Sequence, residues 1–280
     1  MTQENNRVVC IYHANCLDGA ASAWVVEQFF GPGVVEFHAA QYGHPVPEGL
    51  TGCTIYLVDF SYKRDQIVQL MQHNNVVILD HHETAAKDLE GLFEIDQAHS
   101  GAMVTWNYFF GSERPPVQLL YVQDRDLFQF KLENTKPWTM GAFSYPLSLE
   151  TFSEIMKRPE MELISEGILL IRKEKSDIGK FMPNVRRMKI NGQDVPVVNA
   201  PYMYASEIGH LLAQDNDYAV IYNDGVDERQ FSLRSRKDGG QHVNLVAEAF
   251  GGGGHKNASG FKLKFDDPRF PLSHVELNSH

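Results

Sequence analysis

The chain is short of cysteine. Cys10, Cys16 and Cys53 are the only three in 280 residues, and no two form a CxxC pair. No disulfide framework is expected, and a reduced, cytoplasmic setting follows. Long apolar runs are missing too. Nothing approaches the roughly 20 residues needed to cross a bilayer. The start, MTQENNR, is polar, so neither a signal peptide nor a membrane contact is expected. Positive charge is scarce: 25 basic residues against 36 acidic ones give a net charge of −11. That argues against a protein that wraps long duplex by charge alone. A small anionic substrate stays compatible, because bound divalent cations would reverse the sign locally. There is no internal repeat, and no low-complexity tract beyond the GGGG at Gly251.

What is present is enough apolar material for a sizeable core, 43% of the residues, which excludes wholesale disorder. Short β-branched runs alternate with helical patterns. Strands are expected at Arg7–Tyr12, at VVEFH, at Thr54–Phe60 and at Asn75–Asp80, with a fifth at LFEID. Helices are expected from Ala20 to Phe30, over KRDQIVQLMQH, and over SGAMVTWNYFFG with Ser100 as N-cap. Such alternation implies a mostly parallel sheet with helices on its faces.

Residues from about Leu147 to Phe181 read as a charged helical connector. A hairpin turning at Asn191-Gly192 follows. Then come a helix (Met203–Ala213), two strands (YAVIYN and QFSLRSR), a helix (Val243–Phe250) and a last strand, FKLKF. The fold class expected is therefore α/β: a mostly parallel-sheet N-terminal domain (1–140), a helical connector (141–185) and a smaller α/β C-terminal domain (186–280), with a cleft between the two domains.

Open α/β sheets bind ligands outside the carboxyl ends of their strands. The first strand ends at His13, with Asn15, Cys16 and Asp18 just beyond; the third ends at Asp59; the fourth at Asp80, His81 and His82; a later segment brings Asp124 and Asp126. Singly, each has a bland reading, as a helix cap, a turn residue or a packed histidine. Falling at consecutive strand ends, they form a candidate cluster of imidazoles and carboxylates. Clustered anions repel each other, and burial worsens it. Divalent cations with carboxylate and imidazole ligands would relieve that repulsion. With one carboxylate bridging, a pair of ions suits phosphate-ester hydrolysis. His38, His44, His73 and His99 have no such neighbours and read as surface or packing histidines.

In the second domain FSLRSR puts Arg234 and Arg236 on one face of a strand, with Ser235 between them. Guanidinium forks match phosphate oxygens. The GGGGH run, with Gly253 and Gly254, would let backbone approach an anion, and His255 and Lys256 add donors.

DHH at Asp80–His82, VDFS containing Asp59, DRDLF containing Asp124 and GGGGHKNASG at Gly251–Gly260 together resemble the DHH phosphoesterase family and its DHH-associated C-terminal domain, the superfamily of nanoRNase and RecJ. The resemblance spans nearly the whole chain. DHH alone is a weak signal; DHH followed about 170 residues later by GGGGHxxAxG is a specific one.

The resemblance implies two divalent metal ions, Mn2+ before Mg2+, Co2+ or Zn2+, held by His13, Asp18, Asp59, His81 and Asp124, with Asp59 bridging and Asp126 the rival of Asp124. It implies that His82 faces the bridging solvent or the scissile phosphate and that Asp80 orients its neighbours. Where the family has a further aspartate in its first motif, this chain has Cys16, preceded by Asn15. A thiolate is a softer ligand and asparagine a neutral one, so either Cys16 or Asn15 ligates, or Cys16 packs at the helix start with solvent filling the gap. In the C-terminal domain Arg234 fits the family motif better than Arg236.

The function expected is metal-dependent hydrolysis of phosphodiester or phosphomonoester bonds in short oligonucleotides, dinucleotides or nucleoside bisphosphates. The partner is a nucleotide or short single-stranded nucleic acid, with the protein a monomer or homodimer. The alternatives are a polyphosphate or pyrophosphate phosphatase, and a non-catalytic nucleotide sensor with an altered first metal motif.

Overall fold

A computed structural model describes residues 7–269. The chain divides into two compact units, Met1–Ile171 and Arg172–His280. In the first, β1 (Val8–His13), β2 (Val35–Ala40), β3 (Thr54–Val58) and β4 (Asn75–Leu79) form an all-parallel sheet in the order β2-β1-β3-β4. The order reverses between β1 and β3, and the gap at such a switch point is where an open sheet offers a ligand crevice.

Alternation of side chains splits the strands between two cores. Cys10, Tyr12 and Val58 face one side, with α1 (Leu17–Phe30), α4 (Gly101–Phe110), α5 (Val117–Asp126), α6 (Thr135–Ala142) and α7 (Leu149–Lys157). Val9, Ile11, Ile55 and Leu57 face the other, with Ile67 and Leu70 of α2 (Arg64–Met71) and with Leu89, which follows α3 (Glu83–Asp88). Each such fully buried side chain contributes about 1.5–3 kcal/mol. The two filled faces explain why these strands read as continuous apolar runs.

The expected fifth strand at LFEID does not form. Residues 92–96 carry no ladder, and Phe93 and Ile95 pack as single side chains on the second core. An end of the first domain at residue 140 is not seen either. Trp138, Ala142, Phe152 and Ile155 are buried in one cluster with Trp24 of α1, so α6 and α7 belong to the first unit. The division between the units falls inside α8 (Glu160–Phe181).

The second unit holds β5 (Arg186–Ile190), β6 (Gln193–Asn199), β7 (Ala219–Asp224), β8 (Glu228–Arg234), β9 (Gly253–His255) and β10 (Ala258–Lys264). They form one mixed sheet, ordered β5-β6-β7-β8-β10-β9. The β5–β6 hairpin turns at Asn191-Gly192 with φ of 50° and 79°, the left-handed pair that a two-residue hairpin requires. Val243 and Val246 of α10 (Val243–Ala249) pack in the core with Phe231 and Phe261. Ile208 of α9 (Ala205–Ala213) packs in a smaller cluster with Val198 and Ile221. Among the described residues no helix is long and apolar enough to cross a membrane.

Candidate metal centre

The tips of β1, β3 and β4 deliver the polar groups. His13 is the last residue of β1. Asp59 follows β3 with φ of 51°, a left-handed backbone that costs a non-glycine residue of order 1 kcal/mol and clusters at functional sites. Its N–H still bonds Leu79 O at 2.9 Å, so the strained residue stays tied to the sheet. Its carboxylate is 1% exposed.

Asp59 divides its two oxygens between two histidines. Oδ2 lies 3.6 Å from His13 Nδ1, and Oδ1 lies 3.3 Å from His81 Nε2. His81 Nε2 is also 3.8 Å from Asp18 Oδ2 and 3.5 Å from Asp126 Oδ2. Donors from His13, Cys16 and Asp59, from Asp59, His81 and His82, and from Asp18, His81 and Asp126 each fall within 4.8 Å of one another. His13 Nδ1 and Asp59 Oδ2 are buried and have no hydrogen-bond partner. Such orphans are costly unless something other than the chain itself satisfies them. Two ligand atoms each about 2.1 Å from one cation lie about 3.0–3.4 Å apart. The Asp59 spacings are close to that range and longer than ordinary charge-assisted hydrogen bonds. The donor set therefore fits hard or borderline divalent cations.

Asp80 is different. Its Oδ1 accepts the N–H groups of His81 at 2.8 Å and His82 at 3.3 Å, and sits 2.7 Å from His82 Nδ1. That bond places the ring proton on Nδ1 and leaves Nε2 available. Asp80 is fully buried and holds both histidines of the motif in place, as an orienting carboxylate does.

The electrostatics follow from burial and crowding. Burial raises the Asp18 pKa well above the usual carboxylate value, and Asp59 and Asp126 push the same way. Burial would raise Asp59 too, but His13, His81 and His82 more than reverse it, and Asp59 is held below its usual range. For His81 burial opposes the charge, yet Asp59, Asp18 and Asp126 push its pKa up to about 9. Burial raises the Cys16 thiol well above its ordinary value, with Asp59 and Asp18 adding to the shift. Without cations the cluster holds protons that bound metal would displace.

Asp18 has a second task. Its Oδ2 accepts Gly101 N–H at 2.6 Å and its Oδ1 accepts Ala102 N–H at 3.1 Å, so it caps α4. Ser100, the expected cap, sits at the N-cap position but its hydroxyl caps nothing and is buried without a partner. A carboxylate is the stronger acceptor for the positive end of a helix. Gly101 is required for this approach, because a Cβ there would lie 2.5 Å from Asp59 Cβ. Sequence reading missed Gly101; its only trace was the small residue opening a helix next to an acidic tip.

Asp124 does not join the cluster. Its carboxylate accepts Lys131 N–H and Leu132 N–H, both at 2.9 Å, and the Thr135 hydroxyl. Its backbone carbonyl accepts Gln129 N–H at 2.8 Å. It ties down the loop after α5, where Phe128 takes φ of 52° and Phe130 takes φ of 51°. On a helix, residues two apart point about 200° apart, so Asp126 reaches His81 and Asp124 cannot. Asn15 is exposed and takes φ of 55°, making the turn into α1, while Cys16 carries the sulfur toward His13 and Asp59.

In the second unit Arg234 ends β8. Its Nη2 donates to Ser206 Oγ at 3.1 Å and its Nη1 to Leu233 O at 2.9 Å. Arg236 lies beyond the strand and donates to Gln214 O at 3.2 Å; Ser235 Oγ donates to Gln241 O at 2.6 Å. His255 and Lys256 are exposed at the β9–β10 turn. The glycine run has a packing reason of its own: a Cβ on Gly252 would lie 2.1 Å from Gly260 O, and one on Gly254, at φ of 137°, 2.7 Å from Ser259 Cα. Gly253 faces open space.

The fold is shared with several solved structures, among them a DHH domain that aligns with a TM-score of 0.56 at 12% identity, over 92% of this chain and 82% of that one. A pGpG-specific phosphodiesterase, PggH from Vibrio cholerae, aligns with a TM-score of 0.55 at 14% identity, over 94% of this chain and 95% of that one. RecJ in complex with Mn2+ from Thermus thermophilus aligns with a TM-score of 0.57 at 15% identity, over 94% of this chain and 50% of that one, so this chain spans half of RecJ. An uncharacterized protein of Acanthamoeba polyphaga mimivirus is 25% identical over 299 residues, covering 96% of this chain and 70% of that protein. No family model matches.

Proposed function

We propose that the chain is a metal-dependent phosphoesterase that hydrolyses short oligonucleotides, dinucleotides or nucleoside bisphosphates, using two divalent cations, with Mn2+ the preferred one. The observation that carries the reading is Asp59, whose two oxygens address His13 on one side and His81 on the other. His13, Cys16 and Asp59 would hold one ion; Asp59, His81, Asp18 and Asp126 would hold the second. Bound there, the ions would acidify a water and neutralise phosphoryl charge.

The chain's own groups supply the rest. The Asp80 carboxylate fixes the His82 ring through Nδ1, so His82 Nε2 is the atom that protonates the departing oxygen. Burial opposes charge on His82, but Asp80 and Asp59 outweigh it and raise the ring's pKa, which favours the acid form. In the second unit Arg234 is the residue best suited to bind a phosphate group. Ser235 stands beside it, and Gly253, Gly254, His255 and Lys256 lie on the adjoining β9–β10 hairpin. One structural relative is described as a pGpG-specific phosphodiesterase and another as an exonuclease, and those descriptions support the same bond class here.

The test is direct. Purified protein is incubated with pApA, with an adenosine 3′,5′-bisphosphate and with inorganic pyrophosphate, each with Mn2+, Mg2+ or Zn2+. Release of mononucleotide from the first, or of phosphate from the second, is expected. Turnover of pyrophosphate alone would favour the polyphosphatase reading; binding without product under every metal would favour the sensor.

A further inference from the structure

Beside the metal centre, in the same unit, lies a cavity of about 250 Å³ that none of the assigned residues uses. Its wall is aromatic. Phe60 is fully buried and Tyr62 nearly so, with ring centres 4.9 Å apart at 90°. Tyr42 lies 5.0 Å from Phe60 and is 49% exposed, so part of its ring is uncovered. Polar groups share the lining, among them Lys63, Gln66 and Asp88, with the hydroxyl residues Ser61 and Thr84. Gln66 Oε1 and Asp88 Oδ2 accept backbone N–H groups, of Lys63 at 3.3 Å and of Arg64 at 2.9 Å, which holds both side chains at the entrance to α2.

Tyr42 joins the cavity to the metal centre. Its ring centre lies 5.4 Å from that of His13 and 5.9 Å from that of His82, edge-on to both. A phosphoester seated at the centre therefore places its adjoining group against Tyr42. An aromatic floor with a rim of hydrogen-bonding groups selects a flat heterocycle with polar edges. A phosphate chain would find a single lysine there, and a carboxylate at Asp88 that repels it. The volume lies below the range of about 300–1,000 Å³ that takes drug-sized ligands, which limits the occupant to one ring system.

We infer that this cavity is a nucleobase site: it stacks the base of the nucleotide next to the scissile phosphate on Tyr42, and it makes the enzyme selective for nucleotides over inorganic polyphosphates. The inference rests on the phosphoesterase reading and names its substrate class.

Two measurements on the full-length protein test it. A dinucleotide carrying 8-azidoadenine is photo-cross-linked without turnover, and the labelled peptides are mapped. Label at Tyr42 or within residues 60–66 is expected; label confined to other segments overturns the inference. Separately, kcat/KM is compared for pApA and for the same compound with one abasic ribose. Base stacking is worth enough for Tyr42→Ala to cut the ratio of the two about tenfold or more, and Tyr42→Phe should retain most of it. An unchanged ratio in Tyr42→Ala overturns the inference. If the wild type hydrolyses neither compound, the phosphoesterase reading fails, and the cross-link alone decides whether a base binds here.

Discussion

The polar groups at the strand tips of the first unit and the candidate residues of the second stand in opposite conditions. His13 Nδ1, Asp59 Oδ2 and Asp80 Oδ2 are buried without partners, and burial together with Asp59 and Asp126 works against ionised Asp18. Arg234, Ser235 and Arg236 instead bond to Ser206, Gln241 and Gln214 of their own unit. A site that is internally unsatisfied gains from an added ion; a site that is internally satisfied gives up existing bonds when it binds. The first should respond strongly to metal, and the second should tune affinity while leaving the chemistry alone.

Asp59→Ala tests the first half hardest. It removes a carboxylate common to two donor groups, so turnover should fall to background. The thermal shift should fall with it. Mn2+ at about 100 times its Kd should stabilise the wild type by about 2.7 kcal/mol, and the variant should show almost none of this. A variant that keeps both would refute the bridging assignment.

The next largest effects separate two aspartates. Asp126→Asn should cost most of the activity and move the metal-free protein's denaturation midpoint little, because the attraction to His81 that it loses is offset by relieved repulsion of Asp18. Asp124→Asn should do the reverse. It weakens bonds to Lys131, Leu132 and Thr135, a loss of about 1.5–3 kcal/mol in stability, read by urea titration. Equal effects on both measurements would remove the distinction.

That pair also marks where sequence reading stopped. Strand tips are legible because a parallel strand buried on both faces is a continuous apolar run, and the first polar residue after it must lie at the sheet's carboxyl edge. His13, Asp59 and the Asp80–His82 run were found that way. Asp124 and Asp126 sit at the end of a helix, where spacing fixes relative direction and leaves absolute direction open. The available signal was the stripe Leu119, Val122, Asp126 at helical spacing, whose first two members are buried. Gly101 and Tyr42 were illegible for another reason: one matters through a side chain it lacks, the other through contacts made only in three dimensions. The LFEID segment misled because two apolar residues packed singly look like a strand's alternation.

A smaller effect is expected in the second unit. Arg234→Ala should raise KM for pApA by roughly ten- to a hundredfold, the worth of a charge-assisted contact of about 1.5–3 kcal/mol, with kcat nearly unchanged. Arg236→Ala, which loses a bond to a backbone carbonyl at 3.2 Å, should change KM less. A matching loss on a small generic phosphodiester would place Arg234 in the chemistry and erase the contrast between the units.

The smallest effect concerns acid. Asp177 of α8 accepts from Lys173, from Lys180 at 3.1 Å and from the Tyr204 hydroxyl at 3.0 Å. The Lys173 ammonium, then Lys180 and Tyr204, hold its pKa down to about 2. An unfolded aspartate titrates at about 3.9. The folded pKa is the lower one, so the stabilisation is fully present above about pH 4 and disappears as pH falls toward 2. Asp177→Asn should lose a little stability at pH 7 and show a shallower decline between pH 4 and pH 2, and neither change should depend on Mn2+. A metal-dependent difference between Asp177→Asn and wild type would mean that the second unit senses the ion, and the two regions would then be coupled in a way their separate hydrogen-bond economies do not require.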